Sequence, residues 1–199
     1  MTKTNRSKYN VCKKLHNSYK NLWGLSSKDG FRALKQIKKK KITPFSKILD
    51  IKQSFKLFYS NIREQSFKNV VMYSIKSRSK TLDKLASFVE SRLDSLLFRS
   101  CFVSSYHEAK LLVAHKHIIV NDMFVYKSNI YLIKGSFIKI HKLLIKKTFF
   151  SKILQARSLP NYIEIDFKNL AFIFLWDTAF YNVYYPINLD YSKISRYYK

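Results

Sequence analysis

Residues 92–122 read RLDSLLFRSCFVSSYHEAKLLVAHKHIIVND, and residues 134–140 read KGSFIKI. These two stretches decide the fold. Ser105 can cap a helix and Glu108 can reach back to it, which is the arrangement of a capping box. The apolar residues that follow recur three and four positions apart, as they do on one face of a helix. The first stretch therefore predicts a helix that begins beside Ser105.

Two short strands joined by a turn are predicted after this helix. Residues 118–120 are β-branched, a composition that favours a strand. The pair Asn121-Asp122 is typical of tight hairpin turns. Lysines and histidines surround the unit, so we expect its exposed side to be positively charged.

This order of residues resembles the RNA-binding module of the small-subunit ribosomal protein S four family, from Leu85 to Ile140 without an obvious gap. The family pattern is Arg-Leu-Asp, a short gap, Ser/Thr-Arg-x-x-Ala-x-x-Leu-Val and then Gly-x-Ile-x-Val-Asn-Gly. The chain keeps Arg92, Leu93, Asp94, Ser105, Glu108, Ala109, Leu112, Val113, Ile118, Val120 and Asn121.

The chain departs from the family pattern at a few positions. Tyr106 stands where the family usually has Arg, so one cationic contact is missing. His117 and Asp122 stand where Gly is usual, so we expect a less relaxed backbone there. Residues 180–185 are rich in tyrosine where relatives have a basic loop.

The resemblance implies an α+β fold. A helical domain would accompany an S-four-type RNA-binding domain, in which a helix-turn-helix precedes a β-hairpin and a small, mostly antiparallel sheet. We expect residues 1–42 to be a basic arm that contacts rRNA. We expect residues 43–90, completed by residues 180–199, to form the helical domain. Residues 91–179 would form the RNA-binding domain with its following strands.

Periodicity predicts further elements outside the module. Thr43, followed by proline, marks a helix start, and an apolar stripe extends that helix to Ile62. Thr81 is predicted to cap a helix whose apolar face runs to Leu96. The basic face of the first helix could lie on a membrane, but we favour a packed helix and expect no membrane partner. Residues 170–176 are far fewer than the ~20 needed to span a bilayer and predict a buried strand.

The charge balance indicates a polyanionic partner. The chain has 199 residues, 38 Lys+Arg and 12 Asp+Glu, for a formal charge of +26. Such a charge is self-repulsive unless the protein lies against a polyanion. A very A+T-rich genome would also favour lysine over arginine, but it would not explain the scarcity of acids. With 47% hydrophobic residues the chain can still bury sizeable cores.

The cationic and polar residues of the module are the predicted RNA contacts. They are Arg92, Arg99, Ser105, Tyr106, Lys110, His115, Lys116, His117, Lys134 and Lys139. Outside the module, the predicted contacts are Lys13, Lys14, Arg32, Lys38, Lys39, Lys40, Lys41, Lys52 and Lys56. Contacts with phosphates would position the protein without reading base sequence.

An internal role is open for several of these residues. Arg92 and Arg99 flank Asp94 and either grip phosphates or form internal salt bridges. Tyr106 either stacks on an unpaired base or ribose or packs locally beside Phe102. The cluster around residue 115 either contacts phosphates or is a solvated face.

The sequence predicts no catalytic or metal site. Cys12 and Cys101 are far apart and form no CxxC pair, and the histidines near residue 115 have no acid or cysteine beside them. No Gly-rich phosphate loop or catalytic triad appears. We therefore predict that the protein is not an enzyme and needs no cofactor. Enzymes that carry a similar module have a separate catalytic domain, for which this chain has no room.

The resemblance implies a structural constituent of the small ribosomal subunit. It would bind the 5′ domain junction of small-subunit rRNA early in assembly and lie near the point where messenger RNA enters. The implied partners are this rRNA, messenger RNA and neighbouring small-subunit proteins, including the S five family. The alternative is a free-standing RNA-binding factor that acts on rRNA or tRNA.

The N-terminal segment bears on localisation. It carries no secretory signal, and its basic composition fits either a transit peptide or an RNA-contacting arm. We favour the arm, which predicts a protein made inside an organelle. The expected location is the mitochondrial ribosome in the matrix, with a plastid as the alternative.

Overall fold

A computed structural model describes residues 43–103, 105–141, 159–185 and 192–198. The predicted arm, residues 1–42, lies outside the described residues. The helices and strands in chain order are α1 (Pro44–Phe58), α2 (Glu64–Lys76), α3 (Thr81–Glu90), α4 (Leu93–Arg99), α5 (Tyr106–Ala114), β1 (Ile118–Val120), β2 (Met123–Phe124), β3 (Phe137–Ile140), β4 (Ile163–Asp166), β5 (Ala171–Phe174), a 3₁₀ helix (Phe180–Asn182) and α6 (Ser192–Tyr198).

The chain divides into two compact units. The first contains residues 1–76 and 185–199, and the second contains residues 77–184. In the first unit, α1 and α2 both pack against α6, around the buried side chains of Phe55, Phe67 and Ile194. The domain limits expected from the sequence stay a prediction. Helix α3, which we expected in the helical domain, groups with the second unit.

One of the two predicted threonine caps is confirmed. Thr43 Oγ1 accepts a hydrogen bond from Ser46 N at 3.2 Å, with proline in the first turn of α1. The cap predicted at Thr81 is wrong. Thr81 is the first residue of α3, and Lys80 takes the cap position without a side-chain hydrogen bond.

Helix α1 ends earlier than its apolar stripe predicts. Ser60 and Asn61 have φ of 59° and 54°, a left-handed conformation that ends a helix. The helix therefore stops at Phe58, although Ile62 beyond the turn is still buried. Its apolar side chain reaches the core from outside the helix, which is why the periodicity continued.

The predicted helix from Thr81 to Leu96 is broken in two. Arg92 has an extended backbone, with φ −68° and ψ 141°, and it pairs with Tyr131 in an isolated β-bridge. Leu93 N donates to the carbonyl of Ile130 at 2.9 Å. These bonds replace helical ones, so α3 ends at Glu90 and α4 begins at Leu93.

The helix and hairpin predicted from the deciding stretch are both present. Ser105 Oγ accepts from Glu108 N at 3.3 Å at the start of α5. Asn121 and Asp122 connect β1 to β2 with φ of 46° and 65°. Positive φ at both central residues is the geometry of a tight hairpin turn.

The expected backbone strain is confirmed at one position and wrong at the other. Asp122 has positive φ, as expected for a position where relatives have Gly. His117 does not, because the left-handed residue at the end of α5 is Lys116, with φ 59°.

The second unit contains a five-stranded sheet in the order β2-β1-β3-β5-β4. Every neighbouring pair is antiparallel. Its inner face includes Ile118, Ile138, Ile140 and Phe172, all at most 1% exposed. Strand β5 lies between β3 and β4, which confirms the buried strand predicted from residues 170–176. The α+β fold with a small antiparallel sheet is likewise confirmed.

Candidate nucleic-acid interface

Arg92 lies inside the second unit and is bound to Asp94. Its Nε and Nη2 donate to Asp94 Oδ1 and Oδ2 at 2.9 and 2.6 Å, and Nη2 also donates to Asn129 Oδ1 at 2.9 Å. The side chains of Arg92 and Asp94 are 4% and 1% exposed. Burial opposes the charged guanidinium, but hydrogen bonds to Asp94 outweigh it and raise the pKa of Arg92. The structure therefore shows the internal salt bridge.

Arg99 also has an internal acidic partner. Its Nε and Nη2 donate to the two oxygens of Glu90 at 3.0 and 2.8 Å, and Tyr162 Oη donates to Glu90 Oε2 at 2.9 Å. Burial disfavours the Arg99 charge, yet the adjacent Glu90 carboxylate raises the pKa of Arg99 well above its usual value. Burial, and then Glu90, raise the pKa of Tyr162. Arg99 therefore forms a buried ion pair in the structure, and its contact with a phosphate stays a prediction.

Tyr106 packs locally, but not on the predicted neighbour. Its ring stacks on Phe98 with centroids 4.1 Å apart and planes 19° apart. Only 2% of Tyr106 is exposed, so its ring has no face open to a base. Ser105, another predicted contact, is engaged as the cap of α5.

Lys52 and Lys56 in the first unit are directed at Glu64. Lys52 Nζ donates to Glu64 Oε1 at 3.0 Å and lies 3.8 Å from the centre of the Tyr197 ring, while Lys56 donates to Glu64 Oε2. Lys52 is buried. These two lysines therefore hold α1 against α2 in the structure, and their RNA contacts stay a prediction.

Apart from Lys134, the remaining predicted module cations lie on α5, on the turn after it and on the β1–β3 pair, and together with His141 we call them the α5–β3 surface. It comprises Lys110, His115, Lys116, His117, Lys139 and His141. His115, Lys116, Lys139 and His141 are exposed, and Lys110 and His117 are half-buried. This surface contains five of the ten contacts predicted within the module.

Strand pairing explains why part of this surface is continuous. In the β1–β3 pair, Ile119 lies opposite Lys139. His141 N donates to the carbonyl of His117 at 2.9 Å, which continues the same pairing beyond the strand ends. Alternate residues of a strand share a face, so His117, Lys139 and His141 stand together on the outer face. The His115 and His117 rings are 6.1 Å apart.

Lys110 borders the buried ion pair and the open surface. The pKa of Lys110 is lowered, chiefly by burial, with Arg92 lowering it further and Asp94 opposing both. Lys134 lies at the other end of the sheet. Its Nζ is 3.4 Å from Asp177 Oδ2, with side chains 60% and 42% exposed. A surface pair of this kind is worth about 0 to 1 kcal/mol and leaves Lys134 accessible.

Several predicted contacts lie outside the described residues, and several exposed cations were not predicted. The former are Lys13, Lys14, Arg32, Lys38, Lys39, Lys40 and Lys41. The latter are Arg78, Lys80, His107, Lys127, His141 and Lys168 in the second unit and Lys47, Arg63, Lys68, Lys76 and Arg196 in the first. His141 follows the quoted motif by one residue, and the alternation of its strand would have indicated an outward side chain.

The described part of the chain contains neither a cluster of metal-binding side chains nor a membrane-spanning helix. No three histidine, cysteine or acidic side chains there converge on a point where a metal could bind. None of the helices built from those residues has both the length and the apolarity to cross a bilayer.

The sequence is similar to ribosomal proteins. It is 33% identical over 156 residues to the small ribosomal subunit protein uS4m of Reclinomonas americana, covering 74% of this chain and 62% of that protein. It is 28% identical over 207 residues to uS4 of Wolbachia pipientis subsp. Culex pipiens, covering 100% and 99% of the two chains. It is 28% identical over 209 residues to uS4 of Parvibaculum lavamentivorans, covering 100% and 98%.

No family model matches the chain. Similarity to the bacterial proteins nevertheless runs from end to end, and the mitochondrial protein adds the higher identity over a shorter stretch. The helix, cap, turn and antiparallel sheet described above are the ones that the family motif predicts. The chain therefore belongs to the uS4 family of small-subunit ribosomal proteins.

Proposed function

We propose that this protein is a structural constituent of the small ribosomal subunit and that its α5–β3 surface binds small-subunit rRNA. The observation that supports this is the division of charge between the interior and the surface. Glu64, Glu90 and Asp94 each accept hydrogen bonds from a lysine or arginine within their own unit. Among the described residues, no acid forms a salt bridge with Lys116 or Lys139.

The mechanism is electrostatic and geometric. Each lysine that neutralises a phosphate releases condensed counterions, so affinity falls steeply as salt rises. Helix α5 is capped at its start, and the paired strands hold Lys139 and His141 at a set spacing. A surface of this kind recognises the shape of folded RNA through phosphates and riboses rather than the base sequence. Lys110 and Lys116 within this surface, and Lys134 beyond it, are further proposed phosphate contacts.

The finer features of the function follow the family resemblance. The site would be the 5′ domain junction of the rRNA, occupied early in assembly, near the point where messenger RNA enters. Neighbouring proteins would include the S five family. The similarity to a mitochondrial relative supports a place in the mitochondrial ribosome. Cross-linking of assembled mitochondrial small subunits tests the neighbours and the location together.

RNA binding is tested by titrating the full-length protein against a transcript of the 5′ domain of small-subunit rRNA at several salt concentrations. Changing Lys116 and Lys139 together to Gln should weaken binding and reduce the slope of log K against log salt by about two. Lys168→Gln, an exposed lysine on the turn after β4, is the matched control. An unchanged slope in the double variant would remove the α5–β3 surface from the proposal.

Two further measurements distinguish a ribosomal constituent from a free-standing RNA-binding factor. A constituent sediments with small subunits after a high-salt wash, and it prefers the rRNA transcript to tRNA at equal length. Sedimentation away from small subunits, or equal affinity for tRNA, would support the free-standing factor instead.

A further inference from the structure

Residues 180–184 present two exposed aromatic rings from an anchored turn in the second unit. Phe180 N donates to Asp83 Oδ1 at 2.9 Å, and Arg99 Nη1 donates to the carbonyl of Tyr184 at 2.8 Å. Tyr181 and Tyr184 are nevertheless 80% and 70% exposed. Two internal side chains thus hold the backbone while the rings face solvent. Because the backbone is held in this way, only the two side-chain torsions of each tyrosine have to be ordered when it binds a flat partner.

Tyr181 also forms one wall of a cleft. The cleft has a volume of about 440 Å³ and is lined by Lys80, Thr81, Leu82, Asp83, Phe180 and Tyr181. A volume of this order is within the range of sites that hold small molecules, about 300 to 1,000 Å³. Aromatic and apolar groups line it together with a lysine, a threonine and an aspartate. A ring-shaped group with an attached anion matches that combination.

The charges around the cleft favour an anionic partner. Arg78 and Lys80 are exposed, and Lys84 is half-buried one turn further along α3. Asp83 is the acid of this lining, and one of its oxygens already accepts the Phe180 N–H. The lining itself therefore carries one cation and one acid beside two aromatic residues, and the excess of positive charge comes from Arg78 and Lys84, which neighbour it in the sequence. Protein neighbours also bind exposed tyrosines, but an excess of cations favours RNA.

We propose that this cleft binds one unpaired nucleotide of the bound RNA, with its base stacked on Tyr181 and its phosphate near Lys80. This inference rests on the proposed RNA-binding function. It adds a second contact of a different kind, because the α5–β3 surface offers cations for phosphates, whereas this cleft offers a ring for a base. Stacking on aromatic side chains tolerates any base, since every base has a π-face.

The test uses the full-length protein and a 5′-domain rRNA transcript substituted with 5-iodouridine, which cross-links to aromatic side chains on irradiation. Tyr181→Leu removes the ring and should weaken binding about 5- to 100-fold and abolish a cross-link at residue 181. Tyr181→Phe keeps the ring and should bind within about twofold of the unchanged protein. Tyr126→Leu, at another exposed tyrosine of the second unit, is the matched control.

Two further measurements keep the outcomes distinct. Lys80→Gln should weaken binding several-fold and reduce the salt slope by about one, while Tyr181→Leu should leave that slope unchanged. Thermal unfolding checks that each variant folds. If the unchanged protein binds the transcript but Tyr181→Leu binds equally well with the same cross-links, the cleft does not hold a nucleotide. Loss of a protein neighbour in assembled subunits, with RNA affinity kept, would also overturn the inference.

Failure of the proposed function itself would look different. In that case the unchanged protein would not bind the transcript at modest salt, and no variant at the cleft or at the α5–β3 surface would alter its behaviour.

Discussion

The Glu90 carboxylate and the Arg99 guanidinium form a two-pronged ion pair inside the second unit, with donor–acceptor distances of 3.0 and 2.8 Å. Tyr162 supplies a third donor to Glu90, and Arg99 donates onward to the carbonyl of Tyr184. The pair thereby connects α3, α4, the residue before β4 and the tyrosine-rich segment. A carboxylate with no exposed surface depends on these donors for its solvation.

Changing Glu90 to Gln should destabilise the second unit by about 3 to 5 kcal/mol, because it leaves the Arg99 charge buried without its partner. Gln keeps the size of the side chain, so the loss reports charge and hydrogen bonding rather than packing. The measurement is the free energy of unfolding from chemical denaturation followed by circular dichroism.

The matched control is Glu164→Gln, an exposed acid on β4. It should change the free energy of unfolding by no more than about 0.5 kcal/mol. If the two variants unfold at the same denaturant concentration, the ion pair contributes nothing measurable to stability.

Arg92 is expected to affect stability more than RNA affinity. Arg92→Lys keeps the charge but cannot donate in a fork to both Asp94 oxygens and reach Asn129 as well. The free energy of unfolding should fall by about 1 to 3 kcal/mol. RNA affinity, measured where the variant is fully folded, should stay within about twofold, since only 4% of the Arg92 side chain is exposed.

Arg78→Lys serves as the comparison, since Arg78 is exposed. It should leave stability nearly unchanged. A large loss of RNA affinity in folded Arg92→Lys, with normal stability, would show that Arg92 reaches RNA after all.

Substitution of Lys116 should change protein stability and RNA affinity in opposite directions. Its φ of 59° is a conformation that costs a non-glycine residue about 1 kcal/mol or more. Lys116→Gly relieves this strain while removing an exposed cation. The free energy of unfolding of the variant should therefore rise by up to about 1 kcal/mol. The variant should nevertheless bind rRNA more weakly, with the slope of log K against log salt reduced by about one.

Lys116→Gln is the control, because it removes the same charge and keeps the strain. Both variants should lose similar RNA affinity, and only the glycine variant should gain stability. Unchanged affinity in both would mean that Lys116 points into solvent without contacting RNA.

Local signals in the sequence predicted what is local in the structure. The cap at Ser105 and the turn at Asn121 and Asp122 each involve residues within a few positions of one another, so their geometry follows from residue type. The break between α3 and α4 could not be predicted in this way. It depends on a bridge between Arg92 and Tyr131, which lie 39 positions apart in the sequence.

In the candidate site, too, features that depend on nearby residues were predicted and features that depend on distant residues were missed. Exposed lysines such as Lys116 and Lys139 were selected because basic residues cluster around the motif. The acidic partners of Arg99 and Lys52 were missed, because the residues around a lysine or arginine in the sequence do not indicate whether an acid from another helix will lie beside it. Glu90 lies 9 positions from Arg99 and Glu64 lies 12 positions from Lys52, and only the packing of different helices brings these cations to them.

Glu64 connects three helices of the first unit and makes their packing sensitive to acid. Although burial raises it, hydrogen bonds from Lys56, Tyr198 and Lys52 lower the pKa of Glu64 from 4.5 to about 2. The pKa of Tyr198 is raised, first by burial and then by its bond to Glu64. A carboxyl whose pKa is lower in the folded state stabilises that state when ionised. The stabilisation is complete above pH 4.5 and is lost as pH falls towards 2.

Glu64→Gln should therefore remove one acid-labile component of the first unit's stability. At pH 7 the variant should have a lower free energy of unfolding than the unchanged protein. The loss should be smaller than for a fully buried ion pair, because solvent screens a half-exposed carboxylate. At pH 2 the difference between the two proteins should nearly vanish. The measurement is chemical denaturation at several pH values, with Glu164→Gln as the exposed control. A difference that stays constant from pH 7 to pH 2 would show that Glu64 acts through packing and not through its charge.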